Sequence, residues 1–282
     1  MSHVMTFTTD GGDSGLGPAT HFVVENGGTN VASGELFSKS PIASHVGQLL
    51  LVRWEADEED AARAIIEVAL ATAEPGSEIH LQANVEVHAH IEQRLALAAE
   101  CGFELWQEKE GFWWADGGQD LPRPERITVR TLDDIGREAY VALMAETALD
   151  SLDRLQADCV DALGATRWAD EFLTEYGGPD YDMHWLVATN ARGAAVGYVA
   201  VGAMDEDDTG TIFHIGVAAA HRGNGYIDEL LRVVNRDARD RGYTGLLNEV
   251  DVANAPMMAA MQRNGHRPDV RPWHKWYFRR TV

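Results

Sequence analysis

One stretch constrains this chain more than any other: His214-Ile-Gly-Val-Ala-Ala-Ala-His-Arg-Gly-Asn-Gly-Tyr226, an apolar run ending in a glycine-rich turn that opens an amphipathic segment. Behind the turn, Ile227, Leu230, Leu231, Val234 and Ala238 recur at helical spacing. Charged Asp228, Arg232 and Asp237 fall elsewhere, and Gly242 supplies a stop. A strand, a glycine turn and a helix N-terminus in that order bring unpaired N–H groups and the positive end of the helix dipole to one point, which makes an anion site suited to a phosphate or pyrophosphate. Taken alone, Arg222-Gly-Asn-Gly225 is also an ordinary turn with a solvated arginine, so the rest of the chain has to decide.

The rest of the chain repeats a pattern. In the first half, His21-Phe-Val-Val and Val31-Ala-Ser-Gly-Glu-Leu flank Asn26-Gly-Gly as a hairpin, and 46–54 reads as a buried strand. A helix over 58–73 places Ala62, Ile65, Ile66, Ala69 and Leu70 on one face. Then come a strand over 77–82, a helix over 87–100, Gly102-Phe103, and strands over 104–107 and 111–114. In the second half, a strand over 126–129 precedes helices over 139–148 and 167–176. Strands over 183–189 and 195–202 meet at Asn190-Ala-Arg-Gly, and 210–217 is the central strand before the glycine turn. This half also ends on strand, helix, Gly265-His266 and an aromatic strand over 273–278. Gly and Pro cluster from Ala115 to Glu125. The expected division is therefore a domain over 1–115, a linker over 116–125 and a domain over 126–282, with the acidic run Asp205 to Asp208 as a solvated turn.

In this context Arg222, Gly223, Asn224 and Gly225 resemble the coenzyme A pyrophosphate motif of the GNAT (Gcn5-related) N-acetyltransferases, with Ile227 where a further small residue is usual. Asn254-Ala-Pro-Met-Met-Ala-Ala-Met-Gln-Arg-Asn-Gly265-His266 resembles the family's second signature, an Asn opening a helix that ends in Gly and an aromatic. The resemblance implies a tandem GNAT fold of α/β (α+β) class, with a mixed, mostly antiparallel sheet flanked by helices in each domain. It implies acetyl-CoA as cosubstrate and an amine as acceptor. The amides of Gly223, Asn224, Gly225, Tyr226 and Ile227, with Arg222 adding charge, would hold the pyrophosphate. Ile215 and Val217, on a strand that splays from its neighbour, would bind pantetheine, with the Val217 amide on the acetyl carbonyl, and Asn254 would complete the site. The first half reads Arg53-Trp-Glu-Ala-Asp-Glu-Glu-Asp60 where glycines and an arginine belong. Its carboxylates suit a helix N-terminus and repel a pyrophosphate, so this copy is expected to be degenerate.

Acetyl transfer also needs a base, because ammonium groups ionise well above neutral pH. His214 titrates near neutrality and sits just before the loop, and reads equally as a hydrogen-bonded core histidine. Glu249 and Asp251, two apart on the next strand, share a face. Asp251 also reads as a helix cap, and Glu249 as a group that binds a substrate ammonium. The sequence leaves these three open. For the acid, many members of the family place a tyrosine seven residues after the Asn. Here that position is Met261, which donates no proton, so Tyr226, Tyr277, water or a loss of activity are the alternatives. Met257, Met258 and Met261 read as core packing.

Composition sets the outer bounds. At 282 residues and 45% hydrophobic content the chain is globular, and its formal net charge of −22 repels nucleic acid and favours cationic small molecules. The polar start from Met1 to Leu16 and the lack of a long apolar run point to a cytoplasmic protein without membrane contact. Cys101 and Cys159 read as reduced thiols, and His88-Ala-His90 lacks ligand spacing, so no metal is expected. The reading is an N-acetyltransferase acting on a small cationic amine by direct attack. Its rivals are a protein N-terminal or lysine acetyltransferase and a non-catalytic acyl-CoA-binding or regulatory protein. The oligomeric state is left unknown.

Overall fold

The computed structural model describes residues 4–9, 18–38, 47–55, 57–85, 88–178, 182–204, 208–268, 270 and 273–282. They fall into two compact units, Met1–Lys109 with Trp273–Val282, and Glu110–Pro272. Of the acidic turn 205–208, only Asp208 lies within the described residues.

In the first unit, strands β1 (Val4–Thr9), β2 (Ala19–Asn26), β3 (Thr29–Phe37) and β4 (Gly47–Trp54) form an antiparallel meander, with the expected hairpin turn at Gly27-Gly28. Helix α1 (Glu59–Thr72) crosses to β5 (Glu78–Asn84), which pairs with β4 in parallel over four residues only, from Gly47↔Glu78 to Leu50↔Leu81. Helix α2 (Ile91–Glu100) follows, shorter than expected because His90 takes a left-handed conformation at its N-cap. Ala62, Ile65, Ile66 and Ala69 of α1 and Leu97 and Ala98 of α2 bury against Phe22, Val24, Leu36, Leu50 and Val52. The two strands expected over 104–114 are one, β6 (Glu104–Ala115), because Gly111 is accommodated without a turn. Strand β6 begins in this unit and ends in the next.

In the second unit, β7 (Ile127–Thr131), β8 (Met183–Asn190), β9 (Ala195–Ala203) and β10 (Thr209–Val217) are antiparallel neighbours. Between β7 and β8 stand a one-turn helix α3 (Leu132–Ile135), α4 (Arg137–Ala148), α5 (Arg154–Leu163) and α6 (Ala165–Tyr176). Helix α7 (Tyr226–Asp240) leads to β11 (Gly245–Asp251) and α8 (Ala255–Arg263). Strand β9 is buried from Val196 to Gly202 because both its faces are covered. Tyr198 and Ala200 pack with Tyr140, Met144, Trp168 and Leu173 of α4 and α6. Val199 and Val201 pack with Val234 and Ala238 of α7.

Two expectations about organisation change. Strand β12 (His274–Thr281) pairs antiparallel with β5 from Lys275↔Asn84 to Thr281↔Glu78, so the last strand of the second sequence half completes the first unit. The segment expected as a linker carries neither helix nor strand, yet it is laced to α7. Asp116 pairs with Arg239, Leu121 is buried with its carbonyl on Arg236, and Glu229 accepts from the Glu125 N–H at 2.7 Å. Its Gly and Pro residues end β6 without freeing the chain.

Candidate active site

The site grows from the way β10 meets its neighbours. Its parallel pairing with β11 covers only Thr209↔Gly245 and Gly210↔Leu246, after which the strands part. The register with β9 shifts between Ile212 and His214, a bulge that re-aims the residues beyond it. Asn248 fills the start of the gap by accepting from the Ile212 N–H at 2.9 Å. Its amide reaches His266 Nδ1 at 3.2 Å, and His266 Nε2 meets Asn235 Oδ1 at 2.9 Å. Burial holds this imidazole neutral, with a pKa lowered to about 3. The aromatic after Gly265 is therefore part of a polar wedge joining β11 to α7.

Past the bulge, Ile215 and Val217 are half-buried on the α7 side, in a cluster with Tyr226 and Leu230. The Ala218 N–H bonds the Val196 carbonyl, so by alternation the backbone of Val217 turns away from β9. The Val217 carbonyl accepts from Arg222 Nε at 3.2 Å.

A short 3₁₀ turn (Ala219–His221) then leads into the glycine loop. Gly223 and Gly225 have φ of 75° and 73°, which glycine adopts without the Cβ penalty. As the N-cap of a 15-residue helix, Gly225 offers no side-chain oxygen to the first N–H groups of α7. The first-turn carboxylates are turned to other partners: Asp228 to Arg263 and Asn264, buried Glu229 to Arg126 and Arg232. The N-terminal end of α7 thus keeps the amides and the dipole of an anion site.

The arginines divide their work in a way the motif does not announce. Arg222 is spent on carbonyls, those of Val217, Thr147 (2.9 Å) and Leu149 (2.8 Å), and so clamps the loop to the end of α4. Arg126, distant in sequence and half-exposed, lies along the loop. Its Nη1 donates to the Asn224 carbonyl at 2.8 Å, its guanidinium stands 5.2 Å from the Tyr226 ring, and its Nη2 is 3.1 Å from where a Cβ on Gly225 would sit. Sequence reading missed Arg126, since an arginine at a strand start has no motif around it.

Two of the three candidate bases, His214 and Asp251, meet the first turn of α5. His214 points to the face of β10 opposite Ile215 and stacks on Tyr198, with Trp168 and Phe172 of α6 against it. Its Nδ1 is 2.5 Å from the Tyr198 hydroxyl and its Nε2 is 3.0 Å from Gln156 Nε2. Buried Asp251 accepts from the Arg154 N–H at 3.0 Å and from the Ala253 N–H at 2.8 Å, so it anchors α5 from outside. Glu249 is half-buried on the same face of β11. Helix α5 was not anticipated. Its signal was there in Asp153 as cap, Leu155, Cys159, Val160 and Leu163 at helical spacing, and Gly164 as stop.

Asn254 caps α8 by accepting from the Met257 N–H at 3.2 Å, and Met261 is buried against Phe112, Leu231 and Val250. Tyr226 opens α7, while Tyr277 lies in β12 of the first unit. Among the described residues no cluster of His, Cys, Asp or Glu could hold a metal ion, and no helix is long and apolar enough to cross a membrane. His88 accepts from the Asn84 N–H, and burial lowers its pKa to about 4.

Residues 149–266, which contain the glycine loop, the bulged strand and α5, match the family model of the acetyltransferase (GNAT) family. Among solved structures the chain is similar to a GCN5-related N-acetyltransferase from Sphaerobacter thermophilus, at 18% identity and TM-score 0.62, over 92% of this chain and 80% of that one. It is also similar to a tandem GNAT protein from the clavulanic acid biosynthesis pathway, at 17% identity and TM-score 0.60, over 93% and 82%. A GCN5-related N-acetyltransferase from Kribbella flavida aligns at 14% identity and TM-score 0.56, over 89% and 87%. No curated protein matches the chain. Residues 149–266 are thus a GNAT-family domain. The chain as a whole has the tandem GNAT fold.

Proposed function

We propose that the chain is an acetyl-CoA-dependent N-acetyltransferase with one cofactor site, in the second unit, that acts on a small cationic amine by direct attack. The observation that carries the reading is the uncapped N-terminus of α7 behind two left-handed glycines, following a bulged strand that parts from β11. The amides from Gly223 to Ile227 hold the pyrophosphate, Arg126 supplies the charge beside it, and Arg222 keeps the loop in shape. Ile215 and Val217 line the pantetheine arm, and the Val217 amide polarises the acetyl carbonyl. Asn254, by capping α8, fixes the wall of the cleft. Proton transfer falls to the face shared by His214, Glu249 and Asp251. With both Asp251 oxygens on backbone N–H groups, Glu249 is the better placed to hold an ammonium.

Calorimetry with acetyl-CoA, followed by thiol release against a panel of amines at several ionic strengths, tests this. Steering of a cation by a chain of net charge −22 makes kcat/KM fall as salt rises. A preference for anionic acceptors removes the cationic assignment, and transfer to peptide N-termini or lysine in preference to small amines favours a protein acceptor. Binding without transfer supports the second reading, a non-catalytic acyl-CoA-binding protein, which buried Met261 at the position of the family's tyrosine favours.

A further inference from the structure

The imidazole of His214 sits inside a chain of hydrogen bonds whose direction is set from the α5 end. There the Asp153 N–H donates to Ser151 Oγ at 3.2 Å, and Ser151 donates to Gln156 Oε1 at 2.5 Å. The Gln156 amide nitrogen therefore faces His214 Nε2 as a donor at 3.0 Å, and Nε2 can only accept. The proton of the neutral ring is then on Nδ1, 2.5 Å from the Tyr198 hydroxyl oxygen, which accepts it. The Tyr198 phenol is fully buried and kept protonated by that burial.

We propose that Tyr198 and Gln156 are positioning residues that hold His214 as the neutral Nδ1–H tautomer, with Gln156 guarding the Nε2 lone pair. Among the groups facing the ring are Gln156 from α5, Trp168 and Phe172 from α6, and Tyr198 from β9, against which Tyr140 of α4 packs. The carboxylates at this end of α5, Asp153 and Asp251, give oxygens to the N–H groups of Gln156, Arg154 and Ala253. Resting on the acetyltransferase reading, the atom that takes the acceptor's proton is Nε2, and Gln156 must swing aside to release it.

The two partners act on the ring with opposite sign. Tyr198 accepts from Nδ1–H, a bond that strengthens when the ring is charged, so Tyr198→Phe lowers the His214 pKa. Gln156 donates to Nε2, a bond that exists only while the ring is neutral, so Gln156→Leu raises it. Histidine ¹⁵N NMR titration of the full chain reads both, with shifts of about 0.5–1 unit in opposite directions and an Nδ1–H signature in the wild type. Ser151→Ala, which frees the Gln156 amide to turn its oxygen to Nε2, gives a smaller upward shift and serves if Gln156→Leu does not fold. In the transfer assay the acidic limb of the pH–rate profile moves the same way as the NMR value, with KM for acetyl-CoA unchanged. An Nε2–H tautomer, shifts of the same sign, or no shift overturns the positioning role. A wild type that shows the tautomer and the opposed shifts but no transfer overturns the acetyltransferase reading and leaves the positioning intact.

Discussion

The junctions β4–α1 in the first unit and β10–α7 in the second are two versions of one design, and they differ in what occupies the gap beside the strand. In both, parallel pairing with the next strand stops early, after Leu50↔Leu81 and after Gly210↔Leu246. In the second unit, β10 carries a bulge and passes through eight residues, 218–225, with two left-handed glycines before α7 begins. In the first, β4 pairs with β3 without a register shift and only four residues, 55–58, precede α1. Beside the end of β4 stands Arg94 of α2. Its buried guanidinium donates to the carbonyls of Val52 and Ala89, both at 2.9 Å, and lies 3.7 Å over the Trp54 ring. Burial lowers its pKa to about 10, and it keeps its charge at neutral pH. Counting back eight residues from the glycine after each helix, Arg94 corresponds to Met257. A guanidinium bonded to the Val52 carbonyl of β4 thus stands at the position that a thioether takes in the second unit.

The largest effect that could break this comparison is Gly225→Glu. It places a carboxylate, at a φ that favours glycine, in the proposed pyrophosphate site, and acetyl-CoA affinity is expected to fall by about 100-fold or more in calorimetry. The wild type is expected to bind one acetyl-CoA per chain, and two comparable sites would end the expectation of a degenerate first copy.

Arg94→Met imports the second unit's residue into the first. It strips the buried Val52 carbonyl and the Ala89 carbonyl of a donor and costs about 2–4 kcal/mol in denaturant unfolding, with acetyl-CoA affinity unchanged. A gain of a second binding site instead would mean that Arg94 alone closes the first cleft.

After the helix that follows, buried His266 in the second unit stands where Phe103 stands in the first. Its folded pKa is depressed below the ordinary 6.5, so the unfolded chain binds the proton first. The stability tied to it is present above about pH 6.5 and is lost as pH falls towards about 3, some ~2 kcal/mol by pH 5. His266→Phe should shrink the stability difference between pH 7 and pH 5 by that amount, while lowering stability at pH 7 through the stranded Asn235 and Asn248. An unchanged pH dependence would show that the ring is charged in the fold.

The smallest effect separates the two arginines of the loop. Arg126→Ala weakens acetyl-CoA binding about 3–10-fold, flattens its salt dependence and leaves Tm nearly unchanged, because the side chain is half-exposed. Arg222→Ala lowers Tm, because three backbone carbonyls lose a donor. The reverse pattern would return the charge role to Arg222.

Much of the second unit was legible. Glycines at Gly223 and Gly225 demand a left-handed bend, Ile227 to Ala238 demand a helix, and Asn254 announces a cap, because each depends on residues within one or two turns of chain. The site was legible as far as the loop and the strand that feeds it. Arg126, Gln156 and Tyr198 were not, since each matters through a partner on another element, 16, 58 or 98 residues away in the chain.

By itself, then, the sequence determined most of the order of strands, turns and helices, α5 excepted, and the left-handed bend of the glycine loop, which are consequences of local backbone preference and side-chain period. The tertiary structure decided where β12 goes and which carbonyls each arginine near the loop bonds. A strand with two apolar-compatible faces pairs with whichever edge buries it, and for His274 to Thr281 that edge is β5, a choice that no local pattern records. Likewise an arginine carries the same charge in any turn, and only the carbonyls around Arg222 reveal that its guanidinium is already engaged.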